Sequence, residues 1–506
     1  MSTVFATRAR LLLVLTIPAV TFGVASARSG QTPAAVQPQP AGDTTVRVER
    51  VLKGLRPRIE VEGAPVRWTL AERMAVYKVP AASIAIIDGG RVVWAEGIGV
   101  KEAGGRDTVT ATTLFQAGSI SKPVAVSAML RLVDQGKLSL DTNVNRYLTS
   151  WQLPENELTR QEPVTLRRLA THTAGTTVSG FPGYAVGAPR PTVPELLDGK
   201  APANTAPVRV DTLPGQAFRY SGGGTTIIQQ LLTDVTGMPF PALLQLQVLG
   251  PLGMRHSSFE QPLSAARVAD AAHGHEKGAV VPGGWHVYPE LAAAGLWTTP
   301  TDLAEWTVAM ADALAGRSTT FLSQAIAGQV VGSMVPGRTV QERVGLGLFL
   351  NGSGDSLSFG HGGQDEGFVS DLKMYLKTGQ GAVIMVNSGT GVGLIREIEL
   401  AIEAEFGWPE IGTTRITAVA VDPAVLDRLA GTYVLYNLAG RHFPRVVREG
   451  TRLFYEFGAA RNEMYPQSPT TFIGADGTRF AFARDEGGRY VLIVGSGPNA
   501  VAAVRQ

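Results

Sequence analysis

The sequence predicts an α+β fold built on an antiparallel sheet, followed by a second domain made of strands alone. Two observations predict the first part. Strand-like segments gather near residues 83–97 and 368–386, and the apolar spacing of the long stretch between them is mainly helical. A third observation predicts the second part: from about Thr414, short β-branched and aromatic runs alternate with Gly, Asn and Asp turns. At 506 residues the chain also exceeds the usual size of a single core, so two domains are expected on length.

Taken in order, residues 1–27 read as a secretory signal. Arg8 and Arg10 precede an apolar stretch from Leu11 to Val24, and Ala25-Ser26-Ala27 supplies a small-residue cleavage site. The apolar stretch is shorter than the ~20 residues of an ordinary membrane span. A protein soluble outside the cytoplasm, periplasmic or secreted, with no stable membrane insertion after cleavage, is therefore expected. The absence of cysteine leaves neither a lipid-anchor site nor disulfides, so stability must come from packing. Residues 28–45, rich in Pro, Gln, Ala and Gly, are expected to form a flexible tether.

The main domain is expected over 46–412. Ser83 to Ile87, the turn Asp88-Gly89-Gly90 and Arg91 to Gly97 read as a β-hairpin at one edge of the sheet. After Ser119, the spacing of Val126, Met129, Leu130 and Val133 predicts a helix that stops at Gly136, with Pro123 in its first turn. Thr299-Pro300-Thr301-Asp302 predicts a second helix start with a capping box. Phe368 to Leu376 and Ala382 to Val386 alternate as strands. In the all-β domain, 413–506, strands are expected at Gly431 to Tyr436, Arg452 to Phe457, Thr471 to Ile473 and Tyr490 to Val494. Tyr433, Tyr436, Phe454 and Tyr455 read as its core. A net charge of +2 with 17% charged residues offers no basic excess for nucleic acid or anionic lipid, and fits an enzyme acting on small molecules.

The chemistry starts at Ser119-Ile120-Ser121-Lys122. On a helix, positions i and i+3 share a face, so the Lys122 amine can reach the Ser119 hydroxyl and take its proton. A serine is a weak nucleophile without such a base, and a lysine can be one only where its surroundings push its pKa well below ~10.4. The tetrapeptide alone is weak evidence, since a plain surface helix start would look the same. Ser370-Asp371-Leu372-Lys373 repeats it, but in a predicted strand, where i and i+3 point to opposite faces.

Two further segments add specificity. Tyr220-Ser221-Gly222-Gly223-Gly224 precedes a helix-like run from Ile227 to Val235, and Gly360-His361-Gly362-Gly363-Gln364 leads into the strand at 368. In this order, the three segments resemble the serine β-lactamase and penicillin-binding-protein superfamily. The likeness is to its class C-like branch, which includes D-aminopeptidases, D-Ala-D-Ala carboxypeptidases and β-lactamase-like carboxylesterases. It continues through Leu169 to Gly175, Pro251 to Met254 and Ala294 to Leu303, covering roughly 65–405.

The resemblance implies an antiparallel sheet flanked by helices, a helical subdomain, and a cleft between them. The C-terminal domain resembles the barrel or lipocalin-like domain appended to many such hydrolases. At the site, the resemblance implies Ser119 as the acylated nucleophile, Lys122 as proton acceptor and Tyr220 as proton carrier. The backbone N–H groups of Ser119 and Gln364 would form the oxyanion hole, and Gly222, His361, Gly362 and Gly363 would face the substrate. No cofactor and no metal are implied.

Two departures bear on the substrate. Gly222 stands where β-lactamases usually carry an asparagine, and His361 where they carry a lysine. Gly222 has no side chain to hold the substrate or orient the lysine, and His361 weakens the grip on a substrate carboxylate; both changes favour an ester or a D-amino acid or peptide amide over a β-lactam. A true class C-like β-lactamase and a catalytically silent penicillin- or peptidoglycan-binding module are the alternatives. With an ordinary imidazole pKa of ~6.5, His361 is expected to lose charge between about pH 6 and 8 and to raise the Michaelis constant of carboxylate substrates there.

Other chemistries find less support. No Gly-x-Ser-x-Gly elbow occurs, and a triad through His172 or His361 is only formally open; His172 reads better as a backbone brace. His273, His275, Glu276 and His286 lack a regular metal-ligand spacing, and no phosphate-binding loop precedes a helix.

Overall fold

The computed structural model describes residues 41–318, 320–339, 342–409, 412–437, 440–458, 460–496 and 500–506. The predicted signal (1–27) and most of the predicted tether lie outside these residues. The tether's last residues correct the sequence reading, because Ala41–Leu52 is a helix (α1). Its Val48 and Val51 are buried in a core shared with Phe406, and the Arg47 guanidinium lies 3.8 Å from the Phe406 ring centroid. A Pro- and Gln-rich composition just upstream masked this amphipathic start.

The sheet has eight strands. Ala81–Asp88 (β1) and Arg91–Gly99 (β2) form the predicted hairpin. Val335–Pro336 (β3), Arg343–Val344 (β4), Phe349–Asn351 (β5), Ser358–Asp365 (β6), Phe368–Tyr375 (β7) and Gly381–Val386 (β8) supply the rest. The order is β3-β4-β5-β6-β7-β8-β1-β2, antiparallel throughout. β8 reads as an unbroken apolar run because both of its faces are covered. Val383 and Met385 join one core, while Ala382, Ile384 and Val386 join the other.

Helices fill the long insertion between β2 and β3, and those that position the site are Ser121–Asp134 (α2), Gly222–Thr236 (α3), Leu291–Ala294 (α4) and Pro300–Leu314 (α5). Val392–Phe406 (α6) covers the opposite face of the sheet beside α1. Buried residues run almost continuously from Ser121 to Leu132, so α2 is enclosed on nearly every side rather than presenting one apolar stripe. At α5 the predicted capping box is only half formed. Thr299 accepts from the Asp302 N–H at 3.1 Å, but the Asp302 carboxylate turns away to accept from His256 N–H and the Ser257 hydroxyl, both at 2.8 Å.

The C-terminal strands form a nine-stranded sheet that closes on itself. Gly431–Asn437 pairs with Val501–Arg505 through Tyr433↔Arg505, Val434↔Val504 and Leu435↔Ala503. Closure removes exposed edges. Tyr433 is buried in the barrel core, with its hydroxyl donating to Leu429 O at 2.7 Å, and Tyr455 packs against that core. Phe454 does not belong to it. Strand alternation turns its ring the other way, under the Arg452 and Arg461 guanidinium groups. The Tyr436 side chain lies outside the described residues. Ahead of the barrel, Thr414–Ile416 pairs in parallel with Ile59–Val61, so the segment just after 413 is bonded to the first domain.

Candidate active site

Ser119 lies in a tight 3-10 turn, Gly118–Ile120, that feeds directly into α2. Gly118 has φ +52, and a Cβ there would stand 2.4 Å from Gln364 N. Only glycine lets this turn lie backbone to backbone against β6. One turn on, Lys122 Nζ is 2.9 Å from Ser119 Oγ and donates to Ala293 O at 2.8 Å. Lys122 is 3% exposed, while Ser119 is half-buried and opens to the cleft. The amine is thus fixed from both sides, close enough to exchange a proton with the hydroxyl.

Ala293 belongs to α4, whose position is set by a side chain the sequence did not single out. Gln229 of α3 donates to Pro289 O at 3.0 Å and accepts from Ala292 N–H at 2.9 Å. The duplicate pair behaves as a strand predicts. Ser370 donates to Ala117 O at 2.8 Å, whereas Lys373 faces the other way, 3.4 Å from Glu399 and 3.5 Å from Glu403.

Tyr220 forms the next wall. Its ring is 4.4 Å from that of His172, 6.2 Å from Phe349 and 6.2 Å from His361, centroid to centroid, and Lys122 Nζ is 5.1 Å from its centre. His172 braces this segment: its carbonyl accepts from Arg219 N–H at 2.7 Å and its Nδ1 from Ser221 N–H at 3.2 Å. Burial, then the charges of Lys122 and Arg338, hold its pKa well below the ordinary imidazole value, so it serves as a neutral acceptor. Gly222 corrects the sequence reading. It is buried, does not line the cleft, and a Cβ there would meet Phe181 Cε2 at 3.0 Å and Ser179 O at 3.2 Å. The loop at 179–181 fills the space an asparagine would need.

On β6, alternation sends His361, Gly363 and Asp365 toward the helical side and Gly362 and Gln364 toward the other. Gly363 lies so close to the nucleophile turn that a Cβ would stand 1.9 Å from Ala117 O. Pairing with β5 stops at Gly360, leaving the 361–365 edge without a strand on that side among the described residues. Ser119, Tyr220, Arg338, Phe349, His361 and Gln364 are among the residues lining the resulting cleft of about 720 Å³.

His361 is not the titrating group the sequence suggested. Its Nδ1 donates to Gly362 O at 2.6 Å, and its buried Nε2 has no partner among the described residues. Burial, with the Lys122 and Arg338 charges, pushes its pKa down to about 3, against the pull of the Gly362 carbonyl. We therefore expect no His361-dependent step in the Michaelis constant between pH 6 and 8; profiles of wild type and His361→Gln should show the same midpoints. Stability carries the signature instead. The unfolded chain takes up a proton at His361 below ~6.5 that the folded chain refuses until about pH 3. Folding stability is thus lost as pH falls through that window, by ~1.4 kcal/mol per unit. Urea titrations of wild type and His361→Gln at pH 4.5 and 7 would read the difference.

A second buried group has the opposite sign. Glu290, 0% exposed, precedes α4, and neither of its carboxyl oxygens has a hydrogen-bond partner from another residue among the described residues. Burial pushes its pKa up to about 8. Asp365 is likewise raised well above the usual range by burial, although Lys122 and the Gly118 N–H oppose it. For Glu290 the folded state holds a proton between pH ~4.5 and 8 that the unfolded state releases, so stability falls as pH rises through this span. Glu290→Gln is expected to be more stable than wild type by ~3 kcal/mol at pH 7, with the gap closing toward pH 4.5. Thermal denaturation across that range checks it.

Neither His172 nor His361 is hydrogen-bonded to Ser119 or to a carboxylate, so no Ser-His-Asp relay forms. The three histidines between 273 and 286 are tied to local partners: His273 Nδ1 to Glu102 Oε2 at 2.8 Å, His275 Nδ1 to Asn387 O at 2.9 Å, and His286 Nδ1 to Pro182 O at 2.8 Å. Among the described residues, no cluster of three or more His, Asp or Glu could hold a metal ion, and no helix is long and apolar enough to cross a membrane.

The Beta-lactamase family model matches residues 66–405, most of the chain and all of the site. The protein belongs to the Beta-lactamase family. Penicillin-binding protein 4 of Amycolatopsis lactamdurans is 27% identical to this family member over 373 residues, 71% of this chain and 93% of that one. The octameric penicillin-binding protein homologue from Pyrococcus abyssi shares the fold, with TM-score 0.58 and 22% identity over 86% of this chain and 98% of that one. So does the D-amino acid amidase from Ochrobactrum anthropi SV3, with TM-score 0.54 and 20% identity over 72% and 99%. The chain is a serine hydrolase of β-lactamase-related type.

Proposed function

We propose that this Beta-lactamase family member is an exported enzyme, periplasmic or secreted, that hydrolyses an ester or a D-amino acid or peptide amide through an acyl-enzyme at Ser119. The observation that carries the reading is the 2.9 Å contact between Ser119 Oγ and Lys122 Nζ at the floor of an open cleft. Ser119 attacks the carbonyl carbon while its proton passes to Lys122. The Ser119 and Gln364 N–H groups bind the oxyanion, each such donor being worth ~3–4 kcal/mol in comparable sites. Tyr220 passes its proton to the leaving group, which departs as alcohol or amine, and takes in return the proton that Lys122 holds. Water then attacks the acyl carbon, releasing the acid and restoring the Ser119 hydroxyl. The open edge at 361–365 suits an extended amide substrate, which can pair with it as an added strand.

The test compares kcat/KM for a neutral nitrophenyl ester, a D-amino acid amide and a chromogenic cephalosporin, with Ser119→Ala as background. Turnover of the ester or amide well above the cephalosporin supports the reading. Cephalosporin turnover at rates comparable with ester would favour a β-lactamase, and no turnover or adduct with any substrate would favour a silent binding module.

A further inference from the structure

We propose that Asp371 selects substrates whose leaving group carries a primary amine on a flexible aliphatic stem; the proposal rests on the acyl-enzyme reading above. The cleft does not end at the open edge of β6. It continues over Gly362 to the α6 side of the sheet, where Asp371, Lys373, Val392, Ile395 and Glu399 line it. The charged groups there are one cation short. Lys373 lies 3.4 Å from Glu399 and 3.5 Å from Glu403, and Arg396 bonds the same two carboxylates. Asp371 is left over: its carboxylate has no hydrogen bond, and no cation within 4 Å, among the described residues. Burial, then the charge of Glu399, raise its pKa well above the usual carboxylate range, against the pull of Lys373 and Arg396. Its cross-strand neighbours on β6 and β8, Gly362 and Ile384, carry no charge. A third cation, entering from the cleft, would balance the third carboxylate.

Gly362 leaves the path clear. A strand added at the edge of β6 places a residue beside Gly362 with its side chain on the α6 face. Gly362 and Asp371 are paired across β6 and β7, so that residue and Asp371 stand two strand spacings apart, about 10 Å. No side chain stands at 362 between them, and the Asp371 carboxylate leans back over the glycine, where a Cβ would lie 3.4 Å from Oδ1. The four-carbon stem of a lysine-like residue can close the rest, bringing an ammonium with three donors. Val392, 59% exposed in the first turn of α6, and Ile395 give that stem an apolar surface. Position on β6 gives the side of the substrate. Gly362 lies two residues from Gln364, whose N–H binds the oxyanion, in the direction of His361 and of the Tyr220 ring that serves the leaving group.

The test uses the full-length protein and a matched pair of substrates, acyl-D-Ala-D-lysine amide and acyl-D-Ala-D-norleucine amide, which differ only in the terminal amine. Wild type is expected to favour the lysine peptide at least 10-fold in kcat/KM, mostly through KM. Asp371→Asn should cut that ratio 10- to 100-fold, the range expected for a charge-assisted bond, and Asp371→Glu should restore part of it. Because Asp371 must give up its proton to pair with the ammonium, KM for the lysine peptide should fall from pH 6 to 8 in wild type and stay flat in Asp371→Asn. A merely structural Asp371 would change both peptides alike. No wild-type preference for the lysine peptide, including turnover of neither peptide, or a ratio unchanged in both Asp371 variants, overturns the assignment; it spares the acyl-enzyme reading as long as a neutral ester acylates Ser119. Failure of wild type to turn over or become acylated by peptide or ester overturns both.

Discussion

Ser119→Ala is expected to cost on the order of 10⁶-fold in kcat on any ester or amide, because it removes the atom that forms the covalent bond. Lys122→Ala should cost ~10²- to 10⁴-fold, the range for loss of a positioned proton acceptor. The two losses should not add. Once the nucleophile is gone, deleting its base removes nothing further, so the double variant should be no slower than Ser119→Ala. Lys122 also ties α2 to α4 through Ala293 O, so the alanine variant leaves a buried carbonyl without its partner. Far-UV circular dichroism and thermal melting separate that structural cost from the chemical one. The chemical loss should appear in kcat with KM little changed, as measured on a neutral nitrophenyl ester.

Gly363→Ala is expected to rank next. A Cβ at 363 would stand 1.9 Å from Ala117 O and 2.4 Å from Ser370 Oγ, so β6 or the nucleophile turn must move by more than an ångström. Residues 118 and 364 touch through backbone on the neighbouring side, and a shift there displaces one oxyanion donor relative to the other. Misplacement of that size costs ~10²-fold or more in kcat, and overpacking adds ~1–3 kcal/mol of lost stability. Gly362 provides the control. It faces the opposite side, where a Cβ would meet Asp371 Oδ1 at 3.4 Å and Ser370 O at 3.9 Å. Gly362→Ala should therefore melt within about 1 °C of wild type, with its backbone undisturbed. Comparable melting losses in both variants would contradict the alternation assigned to β6.

What the sequence made legible follows from how local each signal is. The hairpin at 81–99, the helix after Ser119 and the strands at 368–386 rest on neighbouring residues, and their periodicities carried over directly. The same holds for the choice between the two Ser-x-x-Lys pairs, which turns only on helix against strand. Contacts between distant segments left no such trace. Ala293 presents a carbonyl that any residue could present, Gln229 looks like an ordinary helix side chain, and Arg338 lies in a turn with no periodicity. The pKa of His361 depends on burial contributed by Phe349 and Tyr220, 12 and 141 residues away along the chain, so its residue type alone suggested the wrong titration range. Gly222 was misread as facing the substrate for a similar reason: what stands beside it is set by Ser179 and Phe181 in another loop. Short barrel strands such as Arg445–Glu449 and Arg479–Arg484 escaped because charged residues at their ends cut the apolar run to two to four residues.

The central claim is that Ser119 becomes acylated with Lys122 as its proton acceptor. Incubation with a neutral activated ester, acid quench, intact-mass measurement and peptide mapping test it most directly. A single acyl adduct is expected on the peptide carrying Ser119, formed far more slowly in Lys122→Ala and absent in Ser119→Ala. An adduct mapped to another residue, or one that forms undiminished in Ser119→Ala, would contradict it.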